Sequence, residues 1–126
     1  MKRAIIPLML ALSACSAPQY IYKGVHDGVD VSYRWKHPKG KPSELLLKLE
    51  NTSSEDKLLS IVLDVYYQGR TVETLTADTC IRVGQTLDGK LNGIYFIPKK
   101  LTTDQIKSGD GTVEMTRTEV TPGVCR

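Results

Sequence analysis

The chain has 126 residues, with 17 Lys and Arg against 14 Asp and Glu, a formal charge of +3. That length holds one modest core rather than two, and so small a basic excess excludes the strongly cationic surface that nucleic-acid binding usually needs. Two of the basic residues, Lys2 and Arg3, stand at the very start, and residues 15–126 carry a balance of only +1.

From Ala4 to Leu12 the chain is apolar, far short of the roughly 20 residues a membrane-spanning helix requires. A basic start, a short apolar middle and a small-residue end form a secretory signal. Here a cysteine follows at once: Leu12-Ser13-Ala14-Cys15 resembles the lipobox of bacterial lipoproteins. The resemblance implies that residues 1–14 are removed, that the Cys15 thiol carries a diacylglycerol and that the new amine is acylated. Several acyl chains hold a protein stably at a membrane where one does not. Ser16 follows the cysteine, where Asp would imply retention at the inner membrane, so the resemblance implies the outer membrane. No acidic cluster follows, which favours the periplasmic face. Residues 15–27 are expected to be the lipidated N-terminus and a short tether, and residues 28–126 the folded domain.

The rest reads as strands separated by turns. In "VDVSYRW", Val29, Val31, Tyr33 and Trp35 share one face and Asp30, Ser32 and Arg34 the other, the alternation of a half-buried strand. "HPKGKP", residues 37–42, is a turn segment. Leu45, Leu47 and Leu49 then point inward from "ELLLKLEN", and Ile61, Leu63, Val65 and Tyr67 from "SIVLDVYY"; "NTSSEDK" and "QGR" supply the turns. Further strands are expected at Thr71–Ala77, Thr79–Val83, Gly89–Ile97 and Thr112–Val120, with Asp88-Gly89 as a hairpin tip. "LTTDQIKSG" is the one helical candidate, capped by Thr102 or Thr103 and ended by Gly109.

Short strands at regular spacing indicate an all-β sandwich or barrel. "LLLKLENTSSEDKLLSIVLDVYYQGRTVE", residues 45–73, resembles a pattern of bacterial extracytoplasmic immunoglobulin-like domains: an apolar strand ending in Asn-Thr, then a strand ending in an aromatic pair before a Gly hairpin. The expected fold is an immunoglobulin-like β-sandwich of about seven strands, with a small closed barrel as the competing arrangement. With Cys15 given to lipid, Cys80 and Cys125 remain in an oxidising compartment and are expected to form one disulfide.

No Gly-x-Ser-x-Gly, His-Glu-x-x-His, phosphate-binding loop or dinucleotide fingerprint is present. His26 and His37 lack companions at metal-ligand spacing, so no cofactor, metal or catalytic residue is expected. Glu55 and Asp56 read as solvated loop acids. One stretch stands out, "RWKHPKGKP", which gathers Arg34, Lys36, His37, Lys39 and Lys41 around Trp35. It is a candidate contact for an anionic glycan, lipopolysaccharide phosphates or an acidic partner; its bland counterpart is a solvated connection with Trp35 in the core. The function expected is a lipid-anchored envelope module that binds another envelope protein without catalysis. The alternative is a binding protein for envelope polysaccharide or lipopolysaccharide.

Overall fold

A computed structural model describes residues 19–126; the signal over 1–14 and Cys15 lie outside the described residues. The strands are β1 (Ile21–His26), β2 (Val29–Lys36), β3 (Glu44–Asn51), β4 (Lys57–Tyr67), β5 (Arg70–Ile81), β6 (Thr86–Asp88), β7 (Tyr95–Phe96) and β8 (Gly111–Pro122), with one helix, α1 (Thr103–Lys107), before β8. All pairings are antiparallel. One sheet runs β1-β2-β3-β6, with β7 also on β3, and the other runs β5-β4-β8.

Period-two alternation decides which side chains meet between the sheets. Val29, Val31 and Tyr33 of β2 and Leu45, Leu47 and Leu49 of β3 point into one core with Leu59, Ile61, Leu63 and Val65 of β4. Leu75, Ile81, Val113 and Val120 close it from β5 and β8. The chain crosses between sheets three times, from β3 to β4, from β5 to β6 and from β7 to β8. Because β6 and β7 return to β3 while β8 returns to β4, the crossings interlock the two layers. The arrangement is an all-β sandwich of two antiparallel sheets, not a closed barrel: among the described residues no strand pair joins one sheet to the other.

The sheet begins earlier than expected, since Ile21–His26, placed in the tether over 15–27, pairs with β2 as an edge strand. The connecting turn, Asp27-Gly28, has φ of 48° and 85°. Two successive positive φ values are what a tight two-residue hairpin demands, and Gly28 also lies too close to Ser53 for a Cβ. The strands expected at 71–77 and 79–83 are one continuous strand, β5. Trp35 is half-buried at the end of β2, packed against the core rather than enclosed by it.

Residues 89–97 are not one strand, and Asp88-Gly89 is not a hairpin tip. Gly89–Asn92 form a 3-10 turn ended by Gly93 at φ 74°, held where the Asn92 side-chain oxygen accepts from the Asp88 amide at 2.6 Å. The reason is topological: β6 and β7 both pair with β3, so the turn is an outward loop within one interrupted strand. The helix has the expected cap: Thr102 accepts from the Gln105 amide, and the Gln105 side chain accepts from the Thr102 amide.

Candidate functional site

The basic stretch divides into two neighbourhoods because a strand end runs through it. Arg34 belongs to β2, whose alternation turns it away from the core and onto the outer face of its sheet, with Lys48 of β3 as a neighbour. The Tyr20 ring lies between them, 5.3 Å from the Arg34 guanidinium and 5.5 Å from the Lys48 ammonium, within cation–π range. The Tyr20 hydroxyl donates to Asp88 at 3.2 Å. Lys36, Leu46, Lys90 and Leu91 complete an open groove of about 520 Å³. Lys90 pairs at 2.9 Å with Glu44, a buried carboxylate, and this contact, more than any other influence, raises the Lys90 pKa.

His37, Lys39 and Lys41 line a second depression of about 510 Å³, between their own loop and α1. The loop is fixed at both ends. The Lys41 amide donates to the Pro38 carbonyl at 3.2 Å. His37 Nδ1 hydrogen-bonds Ser43 Oγ at 2.7 Å, and Ser43 Oγ in turn meets Thr103 Oγ1 at 2.8 Å. That relay brings α1 against the loop and adds Lys107 to the depression, a cation the sequence reading missed because it lies far along the chain. Burial, then the Lys107 charge, holds His37 below the usual histidine range, which favours its neutral ring. The five residues singled out in the sequence thus lie on one end of the sandwich, but they do not converge on one pocket.

The opposite end is a hydrogen-bonded clasp. Asn51, fully buried at the end of β3, donates through Nδ2 to the carbonyls of Glu55 and Ile81, at 2.9 and 3.0 Å. Its Oδ1 accepts from the Ser53 amide at 3.0 Å. Asp56, expected to be merely solvated, accepts from the Val83 amide at 3.1 Å through Oδ1 and from the Cys125 amide at 3.1 Å through Oδ2. Its carbonyl accepts from the Gly123 amide. Cys80 and Cys125 form the expected disulfide, with Cα atoms 5.5 Å apart. Three strand ends and the C-terminal segment are therefore tied together.

Large apolar side chains stay exposed on this end: Leu58 is 46% exposed, Val83 52% and Val124 77%. Leu58 packs beside Gly123; Val83 is itself held to Asp56 by its amide, and Val124 precedes the bound Cys125 amide. Beside Leu58 a shallow depression on the outer face of the β5-β4-β8 sheet is bordered by Asp78 and Glu119, which sit on either side of Ser60 in register. Among the described residues no cluster of three or more His, Cys, Asp or Glu could hold a metal ion.

The fold defines a disulfide-bonded, two-sheet β-sandwich with a basic end and a cross-linked end. The chain matches no protein-family model, no curated protein and no solved structure.

Proposed function

We propose that this protein is a lipid-anchored module of the bacterial envelope, held at the outer membrane through Cys15 and facing the periplasm, which binds another envelope protein without catalysing a reaction. Support for the anchor comes from Leu12-Ser13-Ala14-Cys15 directly after a short apolar run. Support for the immunoglobulin-like assignment comes from the interlocked crossings between the two sheets.

The observation that carries the partner reading is the exposure of Leu58, Val83 and Val124 on the end tied by the disulfide and the Asp56 hydrogen bonds. Val83 and Val124 are brought to the same place through the Asp56 carboxylate, and Leu58 lies against Gly123. Exposed apolar side chains gathered in this way mark interaction surfaces, and a preordered surface loses little conformational freedom on association. Asp78 and Glu119 beside Leu58 favour a partner that presents an apolar side chain flanked by basic ones.

Affinity purification of the full chain from detergent-solubilised membranes tests this. The expected result is a protein recovered in stoichiometric amount with the wild type and reduced with Leu58→Ser and Val124→Ser, both of which remain folded because neither residue is in the core. Saccharide or lipid recovered without protein would instead support the polysaccharide or lipopolysaccharide reading.

A further inference from the structure

We propose that the basic end of the sandwich rests on the phosphates of anionic lipid headgroups, so that Lys36, Lys39, Lys41 and Lys107 form a second, electrostatic attachment to the membrane. The inference rests on the lipid-anchor reading for one element only, the position of Cys15 in the bilayer surface.

The direction of the chain comes from strand register. Ile21 lies opposite Tyr33 in an antiparallel pair, so Gln19 and Tyr20 run back along β2 toward Trp35 and Lys36. Tyr20, at 5.3 Å from Arg34, already lies on that path. Only residues 16–20 separate Cys15 from β1, and fully extended they reach about 20 Å. Ile21 stands three residues from Lys36 along the register and four from Val29, so reach alone does not choose an end. The choice comes from Tyr20, which its hydrogen bond to Asp88 and its place beside Arg34 aim toward the Lys36 end. A lipid on Cys15 continues in that direction and brings the Lys36 end to the membrane, with the clasp around Asp56 facing away.

The charges at the near end suit that position. Lys36, Lys39, Lys41 and Lys107 are exposed, and none enters a salt bridge among the described residues. Glu44, in register with Lys36, is already paired with Lys90; Asp88 in the groove beside Lys36, and Asp104 and Asp110 along the chain, leave the group cationic. His37, held toward its neutral form, adds hydrogen-bonding capacity rather than charge. Near an anionic bilayer each cation contributes about 1 kcal/mol, roughly fivefold in partitioning, and the attraction fades within a Debye length. Loop charges on a freely tethered domain would gain little of this, whereas a short tether that leaves Tyr20 toward the loop end holds them within range.

The test uses protein purified from membranes and reconstituted in phosphatidylcholine vesicles, with or without phosphatidylglycerol as the anionic component. Acetylation of each lysine by a water-soluble reagent is followed by peptide mass spectrometry, with Lys23 on the flank of the sandwich as internal reference. Lys36, Lys39, Lys41 and Lys107 should react several-fold more slowly on the anionic vesicles, with Lys23 unchanged. The protection should vanish in about 1 M salt, where the Debye length is near 3 Å. In the variant with Lys39→Gln, Lys41→Gln and Lys107→Gln, protection of Lys36 should be lost. Equal rates on both vesicles, or uniform slowing that includes Lys23, would overturn the proposal. Intact mass reports acylation separately. An acylated chain without lysine protection contradicts this inference alone, and an unacylated chain that still shows salt-sensitive protection supports it while contradicting the anchor.

Discussion

Asn51 illustrates how one polar side chain can organise a whole end of a sandwich. A buried amide is tolerated only when its donors and acceptor are satisfied, and here both donors and the oxygen have partners within 3.0 Å. Each donor reaches a different segment, Glu55 in the β3–β4 loop and Ile81 at the end of β5, so the side chain fixes where two connections lie. Removing it strands two carbonyls and a cavity. Asn51→Ala is expected to cost about 3 kcal/mol, measured as a fall in the urea midpoint with an unchanged slope. Thr52→Ala, next along the chain but exposed, is the comparison and should change stability by no more than about 1 kcal/mol.

At the scale of elements, the disulfide acts on the longest connections. It closes a loop of 45 residues that contains β6, β7, α1 and β8, and the entropy model assigns such a closure about 4 kcal/mol. Replacing Cys80 and Cys125 together with Ser should therefore lower unfolding free energy by about that amount while leaving β4 pairing intact, as read by denaturant titration beside circular dichroism. An equal midpoint for the reduced and oxidised protein would contradict it. The same elements show what the sequence made legible. β2 and β4 keep alternation along their inner faces, so their inward residues were readable one by one. β3 departs from it, because Leu46 on the outer face is buried too, covered by Gly89 of the 3-10 turn. β1 was not readable, because Ile21, Tyr22 and Val25 all remain exposed on an edge interrupted by a bulge. The 89–97 segment misled because Asp88-Gly89 is a hairpin signal by composition, yet its two flanks pair with the same neighbour. The basic residues of the loop were visible as a run, whereas Lys107 joins them only through the Ser43–Thr103 contact across 60 positions. Asp56 was hidden for the same reason, its partner amide lying 69 positions away at Cys125.

As a whole the molecule is polarised along its strands. One end gathers unpaired lysines, with Leu91 exposed beside them, and receives the chain from the N-terminal segment; the other gathers the disulfide, the buried Asn51 and the exposed Leu58, Val83 and Val124. Polarity of this kind has meaning for a tethered protein, since the tether decides which end meets the bilayer and which meets a partner. No helix among the described residues is long and apolar enough to cross a membrane; the attachment proposed here is lipid on Cys15, with the basic end as a second contact. The most direct measurement is the mass of the mature N-terminal peptide from membrane-purified protein. The account predicts a chain that begins at Cys15 and carries a diacylglycerol thioether with an acylated amine, all lost in Cys15→Ser. A wild-type chain with a free thiol at Cys15, or with residues 1–14 still attached, would contradict it.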